Sequence, residues 1–278
     1  MGAMRTFAVV TPNFNMGQYL ARTIESVIRN LRPGDQYFVI DGGSTDNSVE
    51  IIRSYEKHLT GWVSEPDKGY ADAIAKGFQR SSSEYMCWIN CGDLLLDGAI
   101  DEARRYLTES GADMIFGDDF YIDEADQVIS RSSGRVGLLR NMMLFGGWTP
   151  LQDACFWKRS LYESIRGVDT RLKYAADYDL FLRMSVVGVC KYVPVVFSTY
   201  RKHEGQKGVQ GRLAYKRERY YSRDMELTKN GYSWFRRKLL TAYYGTLARL
   251  RARVWVKLIN SKKMAGAHVL QLPCRPYT

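Results

Sequence analysis

The sequence predicts an α/β fold: a Rossmann-like, doubly wound and mostly parallel central sheet, with a basic helical C-terminal extension. Three observations predict it. Short β-prone runs at 7–10, 37–40, 62–64 and 85–89 alternate with amphipathic stretches at the spacing of βα units. Each run leaves into a turn rich in Asn, Asp, Gly or Pro. Charge also divides the chain: residues 1–200 carry 21 Lys and Arg against 26 Asp and Glu, whereas residues 201–278 carry 19 against 4. The body is therefore acidic by 5 and the tail basic by 15, which together make the net charge of +10.

The organising stretch is Tyr37-Phe-Val-Ile-Asp-Gly-Gly-Ser-Thr-Asp46. Its four β-prone residues make a short buried strand with Asp41 at the carboxyl end. Gly42 and Gly43 permit a tight turn and close approach of a ligand to the backbone. Ser44, Thr45 and Asp46 are helix-capping types, and Val49, Ile52 and Tyr55 follow at helical spacing. In open α/β sheets, ligands bind at this carboxyl edge.

Taken in order, Phe7-Ala-Val-Val10 is a buried strand that ends in the turn Thr11-Pro-Asn-Phe-Asn15. A helix then places Leu20, Ile24, Val27, Ile28 and Leu31 on one face, and Pro33-Gly34 stops it. After the Tyr37 strand, a helix from Asn47 to about Lys57 leads to the third strand and the polar loop Glu65-Pro-Asp-Lys-Gly69. The next helix carries Ala71, Ile74 and Phe78, and the fourth strand runs into Asn90-Cys-Gly-Asp93. Beyond residue 100 the rhythm changes. Residues 114–116 form a strand leading to Asp118-Asp119, and Tyr121-Ile122 with Val128-Ile129 suit a hairpin. Residues 154–157 read as extended, 161–165 as helical, 177–187 as an amphipathic helix and 192–200 as a last strand. Glycines at 205, 208 and 211 punctuate a basic loop, and two basic helical stretches complete the chain.

At 278 residues the chain holds one large domain, expected over 1–205, and a smaller extension over 206–278. Five scattered cysteines (87, 91, 155, 190 and 274) without a CxxC pair argue for a reducing compartment, and against a disulfide framework or a zinc site. Because the first strand begins almost at once and no apolar run is long enough to span a bilayer, neither a signal peptide nor a membrane span is expected.

Residues 7–200 resemble the glycosyltransferase family 2 proteins, which have the GT-A fold. The resemblance rests on Thr11-Pro-x-x-Asn15, Ile40-Asp-Gly-Gly-Ser-Thr-Asp46, Ser64-Glu-Pro-Asp-Lys-Gly69, Trp88-Ile-Asn-Cys-Gly-Asp93 and the stretch 152–183 with Ala175-Ala-Asp-Tyr-Asp-Leu-Phe-Leu-Arg183. Five motifs in the family's order are specific where one would be weak. The resemblance implies an inverting transferase that moves a sugar from a nucleotide-sugar donor, by family habit a uridine diphosphate sugar, to an acceptor hydroxyl.

It also implies roles. Asp41 accepts from the nucleotide base, Thr11, Pro12 and Asn15 line the same pocket, and Asp67 and Lys68 sit beside it. Where the family carries Asp-x-Asp for Mg²⁺ or Mn²⁺, this chain reads Asn90-Cys-Gly-Asp93, so Asp93 supplies the charge and Asn90 a neutral oxygen. His203 lies in the region where a family histidine approaches the metal or diphosphate. The catalytic base is implied at Asp177, which precedes the amphipathic helix; Asp179 points to another face. Gln152, Asp153 and Trp148 are assigned to sugar or acceptor, and Arg201, Lys202 and Lys207 to the diphosphate.

In the last helical stretch Leu240, Tyr243, Tyr244, Leu247, Leu250, Val254 and Leu258 share one arc, with Arg237, Lys238, Arg249 and Arg253 largely off it. This is the pattern of a helix in an anionic membrane interface, and equally of a helix packed on the core or on a second copy. A lipid-diphosphate-linked glycan acceptor at the inner face of the cytoplasmic membrane, in bacterial surface-polysaccharide assembly, suits both the charge and the cysteines. Two other classes are weighed against this. A sugar nucleotidyltransferase needs a Gly-rich basic loop after the first strand, which Thr11-Pro-Asn-Phe-Asn15 is not. A nucleic-acid-binding protein accounts for the tail but leaves Asp41, Asp93 and Asp177 without a role, so nucleic acid is not among the expected partners.

Overall fold

The computed structural model describes residues 5–135, 139–202, 211–259 and 274. Among these residues nine strands form one sheet: β1 (Phe7–Asn13), β2 (Gln36–Asp41), β3 (Gly61–Ser64), β4 (Tyr85–Trp88), β5 (Leu94–Leu95), β6 (Met114–Ile122), β7 (Val128–Ser132), β8 (Cys155–Lys158) and β9 (Cys190–Arg201). Their order is β3-β2-β1-β4-β8-β6-β9-β5, with β7 paired to β6. The half formed by β3, β2, β1 and β4 is parallel throughout, as the βα rhythm predicts. The other half is mixed: β6 and β9 run parallel, whereas β8 is antiparallel to both β4 and β6.

Side chains alternate across the sheet with the two-residue period of a strand. Phe7 and Val9 point to a core shared with α1 (Gly17–Ile28), α2 (Ser48–Ser54) and α4 (Ala99–Glu109). Val10, Trp88 and Trp157 point to the other core, covered by α3 (Tyr70–Gln79), α5 (Leu139–Gly146), α6 (Arg159–Ser164) and α7 (Ala176–Val187). The second face also receives Leu227 of α8 (Arg212–Lys229) and Tyr244 of α9 (Trp234–Ile259), so both tail helices dock on the body.

Several elements differ from expectation. β1 does not stop at Val10 but continues through Pro12, which pairs with Ile40. The Pro12 carbonyl accepts from Cys91 beyond the last β1–β4 pair, Val10 with Trp88. The missing N–H therefore lies where that ladder has already ended. The helix after Asp46 closes at Ser54, and 56–58 tighten into a 3₁₀ turn. Asp118 and Asp119 lie inside β6, not beyond it, because pairing with β7 and β9 carries the strand on to Ile122. The sequence reading did not anticipate β5 or α5.

The arc expected on the last helix divides. Leu240, Tyr244 and Leu247 pack on the body, where the Tyr244 ring stacks on Phe145 at 5.9 Å and its hydroxyl accepts from Asn141 at 2.8 Å. Tyr243 and Leu250 stay exposed, together with Phe235 and Leu239. Among the described residues, no helix is long and apolar enough to cross a membrane.

Candidate active site

The parallel half of the sheet brings the carboxyl ends of four strands to one edge, and a cleft of about 1530 Å³ opens there. That is larger than the roughly 300–1,000 Å³ of an ordinary small-molecule pocket. Pro12, Asn15, Gly42, Asp67 and Lys68 line it from the first three strand ends, and Asn90 and Asp93 from the fourth. Asp119 and Tyr121 of β6, Gln152, Asp153, Asp177 and Arg201 join them from the second half of the chain.

Asp41 is beneath this wall, not on it. It is fully buried, and its two oxygens accept from Asn13 Nδ2 (2.7 Å), the Ser64 hydroxyl (2.6 Å), the Ser44 hydroxyl, and the backbone N–H groups of Gly43 (3.2 Å) and Ser44 (2.9 Å). Burial alone raises its pKa, but the hydrogen bonds from Ser44, Ser64 and Asn13 outweigh it and hold the carboxyl below its ordinary value. Direct acceptance from a nucleotide base is therefore corrected: the carboxylate is already taken by the turn it organises. That turn meets the 65–69 loop closely, since a Cβ at Gly42 would come within 2.8 Å of Asp67 Oδ2. Asp67 Oδ1 in turn accepts from the Gly69 N–H at 2.7 Å.

Two more assignments are corrected. Thr11 is fully buried, with its hydroxyl 3.0 Å from that of Tyr37, because β1 runs through it as core. Trp148 packs its ring on Phe116 at 6.0 Å and takes no part in the cleft wall. Asn15 does line the cleft; it holds a left-handed backbone (φ 51°), and its side-chain oxygen accepts from Thr45 N–H at 2.8 Å. His203 and Lys207 lie outside the described residues.

At the fourth strand, Gly92 turns the chain with φ 107°. Asn90 donates to the Gln152 side chain, which donates in turn to Trp88 O at 2.9 Å. Asp93 is buried, and its Oδ1 accepts the backbone N–H of Arg201 at 2.9 Å. The Arg201 side chain, assigned to the diphosphate, is only 1% exposed and points elsewhere. It donates to Gly92 O (2.8 Å) and Asp123 O (2.7 Å), pairs with Asp126 and lies 4.7 Å over the Tyr19 ring. Lys202 lines the cleft and sits 4.2 Å over the Tyr121 ring.

Beside Asp93 stand two further buried carboxyls, Asp119 and Asp153. Burial raises all three; repulsion from Asp153 adds to the rise at Asp93 and Asp119, and Asp153 itself stands at about 6. Ser198 donates to Asp153 at 2.6 Å, but Asp119 Oδ1 has no hydrogen-bond partner among the described residues. Its neighbour Asp118 faces the other way and is bound by Arg131, Ser133 and Gly134. Asp119 was missed because the Asp-Asp pair reads as a turn; the two-residue alternation with Tyr121 would have found it. All three carboxyls are hard oxygen donors, the kind a divalent cation takes. Among the described residues no three His, Cys, Asp or Glu groups gather closely enough to hold a metal ion.

Asp177 opens α7. Its Oδ1 is shielded and has no hydrogen-bond partner among the described residues, and burial pushes the carboxyl up to about 6. Asp179, one face round, is ion-paired to Arg183. Tyr70, Lys173, Tyr174, Tyr200 and Tyr215 complete this side of the cleft, none of them picked out from sequence.

Comparison with known proteins agrees with this architecture. An uncharacterized glycosyltransferase of Mycobacterium tuberculosis is 29% identical over 193 residues, 67% of this chain and 71% of that protein. A PGL/p-HBAD biosynthesis glycosyltransferase of the same organism is 22% identical over 216 residues, covering 72% and 78%. Among solved structures, S. aureus TarS 1-349 in complex with UDP superposes with a TM-score of 0.65 at 13% identity, covering 86% of this chain and 70% of that one. TarS 1-349 in complex with UDP-GlcNAc gives 0.60 at 16% identity over 72% of this chain, which spans only 60% of that fragment. A mannosyltransferase from Pyrobaculum calidifontis, in complex with GDP-Man and Mn²⁺, gives 0.59 at 13% identity over 90% and 75%. Identities this low establish the shared fold alone. Residues 8–165 match Glycosyl transferase family 2, more than half of the sequence, and the chain belongs to that family.

Proposed function

We propose that this protein is an inverting glycosyltransferase that takes a sugar from a nucleoside diphosphate, most simply a uridine diphosphate, to an acceptor hydroxyl. The observation that carries the reading is the cleft itself: Asn15, Asp67, Lys68, Asp93 and the raised carboxyl of Asp177 all line one space. Its volume leaves room for donor and acceptor together.

In this reading Pro12, Asn15, Asp67 and Lys68 bind the nucleoside, with Asp41 holding the 42–44 turn from below. Asp177 takes the proton of the acceptor hydroxyl. The freed oxygen attacks the anomeric carbon from the face opposite the diphosphate, the new C–O bond forms, and the old one leaves with its electron pair on the diphosphate. A carboxyl at about 6 is basic enough to accept that proton and still ionised near neutrality. A divalent metal, Mn²⁺ or Mg²⁺, held by Asp93 and Asn90 together with diphosphate oxygens, would neutralise the leaving group. Lys202 lies on the cleft wall within the same reading, and Gln152 and Asp153 face the transferred sugar.

The acceptor we infer is a glycan on a lipid diphosphate at the inner face of the cytoplasmic membrane. The tail's charge balance of 19 basic to 4 acidic residues supports this, as does the outer face of α9, where Phe235, Leu239, Tyr243 and Leu250 are exposed. The test of the core reading is thermal unfolding with nucleotides. Uridine diphosphate should raise Tm only with Mn²⁺ or Mg²⁺ present, and Asp93→Asn should remove the metal dependence. A shift that ignores metal, or DNA binding without any nucleotide effect, counts against it.

A further inference from the structure

Helix α7, which presents Asp177, begins without a cap of its own. Ala175 stands at the N-cap position and offers no side-chain acceptor, yet the first N–H groups of any helix need partners. Other elements supply partners at its start and along the backbone that leads into it. The Glu218 carboxylate, on α8, accepts from three consecutive backbone N–H groups: Lys173 at 3.0 Å, Tyr174 at 2.9 Å and Ala175 at 2.8 Å. The Tyr70 hydroxyl, on α3, accepts from Ala176 N–H at 2.8 Å and donates to Tyr174 O at 3.1 Å. Next to Glu218, the Arg219 guanidinium lies 4.6 Å over the Tyr178 ring and donates to Gly147 O at 2.6 Å. Tyr215, one turn earlier on α8, lines the cleft.

We propose that α8 is part of the reaction centre, and that Glu218 is a positioning residue which holds the 173–176 backbone, and through it Asp177, at the cleft wall. This rests on Asp177 being the base. It gives the basic extension a role separate from surface attachment, because the three N–H bonds run from α8 to the backbone that leads into Asp177. A carboxylate is suited to this position because its two oxygens can accept several N–H bonds at once, and its negative charge meets the positive end of the α7 dipole.

Among the described residues, the titratable and charged groups around Asp177 are Tyr70 from α3, Cys155 from β8, Tyr200 from β9, and Tyr215, Glu218 and Arg219 from α8. Burial is the main cause of its raised value; Arg219 pulls it down and Glu218 pushes it up. A neutral residue at 218 therefore lowers the Asp177 pKa.

The experiment compares Glu218→Gln and Glu218→Ala with the unaltered protein in steady-state transfer across pH. Glu218→Gln keeps one carbonyl acceptor without charge, whereas Glu218→Ala removes both. The expected result is a fall in kcat of about 100-fold for Glu218→Ala and a smaller fall for Glu218→Gln. The donor KM and the nucleotide-induced Tm shift stay in place, and the acid limb of the Glu218→Gln profile moves to lower pH. Unchanged kcat, an unmoved limb, or a loss of activity that tracks lost nucleotide binding overturns the proposal. Asp177→Asn, run alongside, separates the two levels. An active Asp177→Asn defeats the assignment of the base, while an inactive Asp177→Asn beside a fully active Glu218→Ala defeats only the role of Glu218.

Discussion

The backbone N–H of Arg201 donates to Asp93 Oδ1 at 2.9 Å, joining the end of β9 to the loop after β4 across 108 residues. The side chain of Arg201 continues the same tie, from Gly92 O to Asp123 O and Asp126. The loop that carries Asp93 is thus braced by a buried guanidinium whose five donors match several acceptors at once.

Arg201→Lys keeps the charge but loses the fork, leaving buried carbonyls at Gly92 and Asp123 short of a donor while Asp126 keeps its pair with Arg22. Each buried carbonyl left without its donor costs about 1–3 kcal/mol, and Tm should fall by about 2–4 °C for each kcal/mol lost. Calorimetry without nucleotide checks this. If Arg201 instead served as a free diphosphate ligand, Tm would hold and only the donor KM would rise.

Asp41→Asn places an amide N–H₂ among five donors that need acceptors. The expected loss is about 1–3 kcal/mol. Because the folded-state pKa of Asp41 is depressed, its contribution is present above the ordinary carboxyl range and is lost as pH falls through the folded value. The gap in Tm between Asp41→Asn and the parent should therefore be full at neutral pH and narrow in acid. A gap independent of pH would contradict the hydrogen-bonded carboxylate described here.

Asp177→Asn has the opposite sign. The Asp177 pKa rises from 3.8 to about 6 on burial, so ionisation disfavours the folded state as pH climbs through that value. The amide should abolish transfer, leave nucleotide affinity nearly unchanged, and raise stability by at most about 3 kcal/mol above the folded pKa. That gain should vanish below the ordinary carboxyl range. Denaturant titrations on either side of the window would expose a failure of the sign.

Phe235→Ser with Leu239→Ser removes apolar area from the outer face of α9 without touching Leu240 or Tyr244 on the inner face. Binding to vesicles containing anionic lipid should weaken by on the order of 100-fold, from about 3 kcal/mol of lost burial, with Tm unchanged. If vesicle binding persists and sedimentation shows a dimer that the double variant dissolves, the face belongs to a second copy of this chain.

Legibility followed range along the chain. The first four strands, their turns and the helix of Asp177 were readable because alternation, capping types and glycines act within a few residues, although that helix is buried on most of its surface and leaves Val187 exposed. The same local signals carried the motifs that pointed to the family. They could not tell that Thr11, Asp41 and Trp148 face protein. Each is decided by partners brought in by folding: Tyr37 for Thr11, Ser64 and Asn13 for Asp41, Phe116 for Trp148.

Local chemistry accounts for the strand-turn-helix corners, for the acidic body and basic tail, and for the presence of Asp93 and Asp177 at the ends of their elements. Folding alone brought Asp119 and Asp153 beside Asp93, turned Arg201 inward, and set Glu218 beneath the start of α7. The physical reason is one of distance. Hydrophobic period and helix capping are written in neighbouring residues, whereas burial, charge pairing and a cap supplied by another helix depend on segments that meet only when the sheet is assembled.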